Sequence, residues 1–306
     1  MNDYKSLIEK NKKIELKRKN KRKDIKDING LTEKEFLKAY KPGDYPKPSV
    51  TVDNLIFTVE DNELKILLIK RKNHPDINTW ALPGGFVECG NNSETAEEAA
   101  YRELKEETNL ENIYMEQLYT WSDVNRDPRM RVMSVSFLAL IDSSTQNVKA
   151  GDDAKDAAWF TIKKDFVGED EDGIRTYNMD LYNKEKNVTI NAKIFDIPRR
   201  NGVLTSYKSN IIQVSDEALA FDHINIINMG VERLRNKVEY TPIAFNLLPE
   251  EFTLPQLQKI YEIILGKKLY KTNFRNKVKP MVVETKNITT GNVGPSAKLY
   301  KYNGRY

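Results

Sequence analysis

The stretch "ETAEEAAYRELKEETNL", residues 94–110, restricts this chain more than any other, because it gathers six glutamates around a single arginine. Its pattern predicts a helix. Thr95 is a good N-cap, and Glu98 three residues on completes a capping box. Ala96, Ala99, Ala100 and Leu104 supply an apolar stripe, and Asn109 suits a left-handed helix end. Glu103, Glu106 and Glu107 stand at i, i+3 and i+4, so three carboxylates project from one side. A solvated acidic surface would account for the charge alone, but three like charges on one face repel unless a cation neutralises them. A hard divalent ion such as Mg²⁺, with Mn²⁺ as the alternative, takes oxygen ligands, keeps several waters and bridges to phosphate. Just upstream, Gly84-Gly85 lets a strand end run close to the same helix. Arg102 stays charged at any working pH and can brace the carboxylates or a loop.

The rest of the composition excludes several classes. With 39% apolar and 31% charged residues in 306, the chain suits a soluble protein of two domains. The longest apolar run, around Val132 to Ile141, is interrupted by serines and too short to span a bilayer, so no membrane partner is expected. The start, MNDYKSLIEK, lacks the apolar stretch of a signal peptide. One cysteine, Cys89, rules out an internal disulfide framework and fits a reducing cytoplasm. His74 and His223 lie far apart in sequence, which argues against a Cys/His zinc site. The net charge of +4 is unevenly spread: residues 1–30 carry +6 and residues 267–306 carry +9, leaving −11 between them. Basic ends around an acidic middle suggest that the ends meet a polyanion. A flexible, solubilising tail is the alternative for residues 1–30.

Along the chain, "KPSVTVDNLIFTV" and "LKILLIKRK" read as a hairpin across "EDNE". Strand-like stretches follow in "NIYMEQLYTW", "MRVMSVSFLALI" and "DAAWFTI", with two more candidates within 176–195. The expected class is α+β with a mixed or mostly antiparallel sheet over residues 31–214. From Ser215 the pattern turns helical. Ala220, Ile224, Ile227, Val231, Leu234 and Val238 recur at alternating steps of four and three, a seam for either its own domain or a second copy in a homodimer. Residues 215–239 therefore read as a linker helix, and 240–306 as a small second domain. There Thr253 and Gln256 cap a helix whose Leu257, Ile260, Tyr261 and Ile264 share a face, and Gly266 ends it. Thr272 can cap a second, basic helix, and two strands around a Gly-containing loop complete a winged helix-turn-helix outline.

The acidic stretch resembles the Nudix box, G-x5-E-x7-R-E-U-x-E-E-x-G-U with U aliphatic. Gly85, Glu94, Arg102-Glu103-Leu104, Glu106-Glu107 and Leu110 match it. The chain departs twice: eight residues instead of five separate Gly85 from Glu94, and Asn109 replaces the last glycine. Beyond the box, "PSVTVDNLIF", "NRDPRMRVMSVSF", "FDHINII" and "NFRNKV" are similar to the Nudix proteins with a C-terminal winged helix. That group contains ADP-ribose pyrophosphatases and NrtR-type regulators. Segment 165–207 and the first thirty residues match it poorly. The resemblance implies a Nudix fold, with Glu103, Glu106 and Glu107 as metal ligands and water attacking a diphosphate. A further acid from "AGDDAKDAAWF" would assist, Asp153 first among Asp152, Asp153 and Asp156. Arg126, Arg129 and Arg131 are candidate phosphate contacts, since a guanidinium meets phosphate bidentately, and Gly85 would border the substrate.

Two functions follow. The first is a Mg²⁺-dependent hydrolase cleaving ADP-ribose or a related nucleoside diphosphate derivative to AMP and ribose 5-phosphate, because the carboxylate set is intact. A DNA-binding winged helix would be attached to it. The second is a transcription regulator whose Nudix domain only binds that ligand. For either, Lys271, Thr272, Arg275, Asn276 and Lys277 on the basic helix are the candidate contacts to double-stranded DNA. A protein-contact module is the alternative use of that domain.

Overall fold

The computed structural model describes residues 2–41, 43, 46–142, 154–288 and 296–304. It divides into two compact units, Met1–Lys47 and Pro48–Tyr306. The first unit holds α1 (Asn2–Arg22) and α2 (Glu33–Ala39). The basic start, read above as a candidate flexible tail, thus contains a 21-residue helix, one without an apolar stripe. Helix α2 carries a complete Thr32/Glu35 capping box. The sheet-bearing unit begins at Pro48, seventeen residues later than the boundary expected at residue 31.

In the second unit a hairpin joins β1 (Ser49–Glu60) to β2 (Glu63–Arg71). Asp61 and Asn62, at φ 54° and 62°, give the turn its mirror-image twist. Short strands β3 (Trp80–Ala81) and β4 (Gly84–Phe86) follow, then α3 (Ala96–Thr108), β5 (Tyr114–Trp121) and β6 (Val132–Leu140). Strand β1 is the hub. It pairs parallel with β6, and antiparallel with β2 at one end and β4 at the other. The two strands expected within 176–195 are β8 (Arg175–Asn183) and β9 (Val188–Asn201); with β7 (Ala154–Glu169), which holds "DAAWFTI", and β10 (Leu204–Gln213) they form a meander that extends the sheet from β2. Segment 165–207 is therefore sheet.

The strand alternation decides which helix covers which face. Val52 and Ile56 of β1 pack under Ala99, Ala100 and Leu104 of α3. Leu55 and Phe57 face the other way, toward α4 (His223–Lys237). Gly230 allows that helix to lie close: a Cβ there would meet Leu55 Cδ2 at 2.4 Å. The helix starts at His223 rather than near Ser215, and its seam is consumed inside the protein. Ala220, Ile224, Ile227, Val231, Leu234 and Val238 are all at most 4% exposed. Lys164 of β7 pins the same helix through Glu232 at 2.7 Å and Asn228 at 2.9 Å.

The C-terminal part comprises a 3-10 turn (Ile243–Leu247), α5 (Leu254–Leu265), α6 (Lys271–Val278) and the wing strands β11 (Val282–Ile288) and β12 (Lys298–Tyr302). Thr253 and Gln256 make the expected capping box, and Gly266 closes α5 at φ 66°. Thr272 does not cap α6. The helix begins at Lys271 behind Tyr270, whose backbone is extended, so the Thr272 hydroxyl lies one residue inside. Phe252, Leu257, Tyr261 and Phe274 join the same apolar cluster as α4 and the β1 face, so the winged part and the sheet share one continuous core. No helix among the described residues is long and apolar enough to cross a membrane.

Candidate functional site

Helix α3 is fixed at both ends. Thr95 and Glu98 exchange the two bonds of the capping box, and Asn109 ends it at φ 59° in the left-handed conformation. The extra loop residues do not disturb it. Glu94 N donates to Glu88 O at 3.2 Å, and Glu88 N to Glu94 Oε1 at 2.9 Å. The insertion closes on itself between those two residues, leaving Glu94 in place for Arg102.

Arg102 is the brace of the site. It donates to Glu94 (2.6 and 3.1 Å), Glu103 (2.8 Å), Glu106 (3.1 Å) and the Phe86 carbonyl (3.1 Å). The bond from Arg102 holds the Glu94 carboxyl below its ordinary range. Glu103 moves the other way: burial pushes it up, against the pull of Arg102. Glu107, 7% exposed, accepts the Gly84 N–H at 2.6 Å. A Cβ at Gly85 would lie 2.1 Å from Glu103 Oε1, so any larger residue there would push that carboxylate out of its place.

Beside these carboxylates lies a cavity of about 340 Å³. Glu103, Glu107 and Gly85 line it; Glu106, 58% exposed, does not. Of the three candidate phosphate arginines the structure brings two to the cavity. Arg129 reaches it while held by Asp127 at 3.0 and 2.8 Å, which keeps that carboxyl below its usual range. Arg126 also lines it, yet its side chain is only 5% exposed and paired with Asp222 (2.7 and 3.0 Å) and Asp53 (3.5 Å). Arg131 is outside the lining, because it donates to the carbonyls of Ser122 and Asp123. Asp152 and Asp153 lie outside the described residues, and Asp156 is paired with Lys186 at 2.5 Å.

The structure adds groups that the sequence reading missed. Arg71, at the end of β2, lines the cavity with its guanidinium 4.8 Å from the Phe221 ring. Burial, and then the neighbouring Arg129, pull it below its ordinary value. His74 and His223, far apart in sequence, both line this one cavity. His223 is buried, accepts the Leu82 N–H on Nδ1 at 2.9 Å and turns Nε2 to Asp53 at 3.4 Å. That arrangement sets the neutral tautomer, and burial lowers its pKa. For His223 the signal was "FDHINII", whose first three residues precede or open an apolar-periodic helix, whereas nothing local marked Arg71 or His74.

A metal fits this donor set in a limited way. Among the described residues no three His, Cys, Asp or Glu side chains converge as a ready-made cage. Two carboxylates, Glu103 and Glu107, flank the cavity, and the missing Cβ of Gly85 leaves room for the first. Mg²⁺ asks no more, since it is commonly held by one or two carboxylates plus waters and substrate phosphates.

Comparison with known proteins identifies both parts of the chain. The NUDIX domain model matches residues 48–173, and the NrtR DNA-binding winged helix domain model matches residues 244–302. The ADPR responsive transcriptional repressor NtrR of Acinetobacter baylyi is 32% identical over 277 residues, covering 90% of both chains. The chain belongs to the Nudix proteins with an NrtR winged helix. The crystal structure of Shewanella oneidensis NrtR complexed with a 27mer DNA superposes with a TM-score of 0.57 at 28% identity. It covers 83% of this chain and 93% of that one. An ADP-ribose pyrophosphatase of Methanocaldococcus jannaschii is 46% identical over 132 residues, 43% of this chain and 72% of its own. In this Nudix–NrtR chain, α5 and α6 are the two helices of the winged domain. Lys271, Thr272, Arg275 and Asn276 of α6 are exposed, whereas Lys277 is half-buried with Nζ 5.4 Å from the Tyr261 ring.

Proposed function

We propose that this protein binds ADP-ribose or a related nucleoside diphosphate derivative in the Nudix cavity, hydrolyses it, and binds double-stranded DNA through α6. The observation that carries the reading is that Arg71, Arg126 and Arg129 line one cavity together with Glu103 and Glu107. The guanidinium cations suit a diphosphate, and the carboxylates suit the metal that accompanies it. Glu103 and Glu107, with Glu106 as third carboxylate of the face, would hold Mg²⁺ or Mn²⁺. The metal would offset charge developing on the diphosphate and activate water. Arg102 offsets the mutual repulsion of the carboxylates it bonds, and Arg129 and Arg71 orient the phosphates. Asp153 remains the proposed auxiliary acid. The products are AMP and ribose 5-phosphate.

One observation favours a second reading, a regulator that binds the ligand without cleaving it. Arg102 occupies oxygens of both Glu103 and Glu106, which a catalytic metal would have to share. Release of AMP from ADP-ribose, NADH, diadenosine polyphosphates and nucleoside triphosphates, with and without Mg²⁺, decides between them. Metal-dependent AMP release establishes the hydrolase; tight binding of ADP-ribose without product establishes the ligand-only regulator.

A further inference from the structure

Helix α4 begins with an unusual choice. Its N-cap is Asp222, one of the best N-cap residues, yet the Asp222 carboxylate makes no bond to the helix N-terminus. Both of its oxygens are instead taken by Arg126, at 2.7 and 3.0 Å, with that side chain only 5% exposed. Burial alone would lower the Arg126 pKa, but Asp222 and Asp53 outweigh it, so the guanidinium is held firmly charged. Arg126 is also one of the residues that line the cavity.

Arg126 therefore has two candidate anions. A phosphate entering the cavity offers the bidentate partner that Asp222 now supplies. A carboxylate displaced by it would not be stranded, because it sits where the first N–H groups of α4 need an acceptor. The neighbours of Asp222 extend this arrangement: Phe221 and His223 both line the cavity. At its other end α4 is joined to the winged helix. Arg235 Nε donates to the Ile264 carbonyl at 3.3 Å, in the last turn of α5. Tyr261 of α5 in turn packs edge-on against Phe274 of α6, ring centroids 5.2 Å apart.

We propose that Asp222 competes with the ligand's diphosphate for Arg126, and that its release to the N-terminus of α4 is how an occupied cavity is reported to the DNA-binding helix. The inference rests on the diphosphate reading of the cavity. It makes Asp222 a positioning residue, acting through Arg126 and α4. An internal competitor weakens the ligand it competes with, so removing it tightens binding. Coupling between the two sites is reciprocal, so the same removal weakens DNA binding and abolishes the ligand's effect on it.

The test is Asp222→Asn, because asparagine caps a helix as well as aspartate but carries no charge for Arg126. Binding of ADP-ribose, and separately of inorganic pyrophosphate, would be titrated into full-length wild type and variant, Ca²⁺ replacing Mg²⁺ to limit turnover. DNA affinity would be measured with and without ADP-ribose. The expected result is ADP-ribose binding about 5-fold or more tighter in the variant, at the low end of usual coupling factors. DNA affinity falls by a similar factor and no longer responds to ligand. Unchanged ligand affinity with intact coupling overturns the proposal, and so does weaker ligand binding, which would make Asp222 a support for Arg126 instead of its competitor. If pyrophosphate separates the two proteins while ADP-ribose binds neither, the competition stands and the ADP-ribose assignment falls. If neither probe binds either protein, both fall together.

Discussion

The charged helices α3 and α6 are built in opposite ways. On α3 nearly every charge has a fixed partner. Arg102 alone reaches three carboxylates and a carbonyl, Glu107 holds the Gly84 backbone, and both helix ends are capped. On α6, Lys271 and Arg275 are exposed and make no ion pair among the described residues, and the N-cap Tyr270 makes no side-chain bond. The difference follows from what each would meet. A site for a metal and a diphosphate must be arranged beforehand, because reorganising buried charges at the moment of binding is costly. Contacts to a DNA backbone gain from releasing counterions, and exposed lysines and arginines with loose geometry suffice.

The contrast is broken most directly at the carboxylates. Glu107→Gln or Glu106→Gln should lower AMP release by at least ~10²-fold, the scale of one lost electrostatic contact in a catalytic site. Circular dichroism should show the fold retained. Because Glu107 lines the cavity and Glu106 does not, normal turnover in Glu106→Gln alone would reduce the ligand set to Glu103 and Glu107. Normal Mg²⁺-dependent turnover in both would show that the metal lies elsewhere.

On α6 the expected effect is a change of slope. Replacing Lys271 and Arg275 by alanine should reduce the dependence of log DNA affinity on log salt by about 1.8, at roughly 0.9 for each phosphate neutralised. Fluorescence anisotropy across a salt series measures it. An unaltered slope would shift the contact to the wing or the basic N-terminal helix. Cutting the chain after Tyr240 would be a poor substitute, since Phe252, Leu257 and Tyr261 share a core with the sheet.

A smaller effect separates the regions by pH. His223 is neutral in the fold because burial lowers its pKa, while an unfolded histidine titrates near about 6.5. Above that pH neither state is protonated and its contribution is fully present. As pH falls below it, the unfolded chain takes up the proton first, so stability is lost until the folded value is passed. Urea midpoints between pH 7.5 and 5 should fall less steeply in His223→Gln than in wild type. Equal slopes would mean that the imidazole takes up its proton alike in the folded and unfolded protein.

The smallest pair of effects compares helix ends. Thr95→Ala removes a capping box and should cost about 1 kcal/mol. Tyr270→Ala removes an 83% exposed side chain without a cap bond and should stay within about 0.5 kcal/mol. Chemical denaturation distinguishes them, and a Tyr270 loss as large as that of Thr95 would mean that α6 is held at its start after all.

What the sequence determined by itself was local. The α3 capping box, the Asn109 cap, the β1–β2 turn and the α5 cap are all written within a few residues, and each stands where its pattern put it. Three carboxylates at i, i+3 and i+4 could be read for the same reason: helix geometry fixes their side without help from the rest of the chain. Partner choice was not legible. The seam of α4 reads the same whether its partner is another copy or its own sheet, and only the packing of Gly230 against Leu55 decided for the sheet. The cavity depended on tertiary structure still more. Asp53, Arg71, Arg126 and His223 come from separate segments, and strand parity aims Asp53 at the start of α4. A run of charges states how many ions a segment carries; which ion meets which is fixed only when the backbone brings distant segments together.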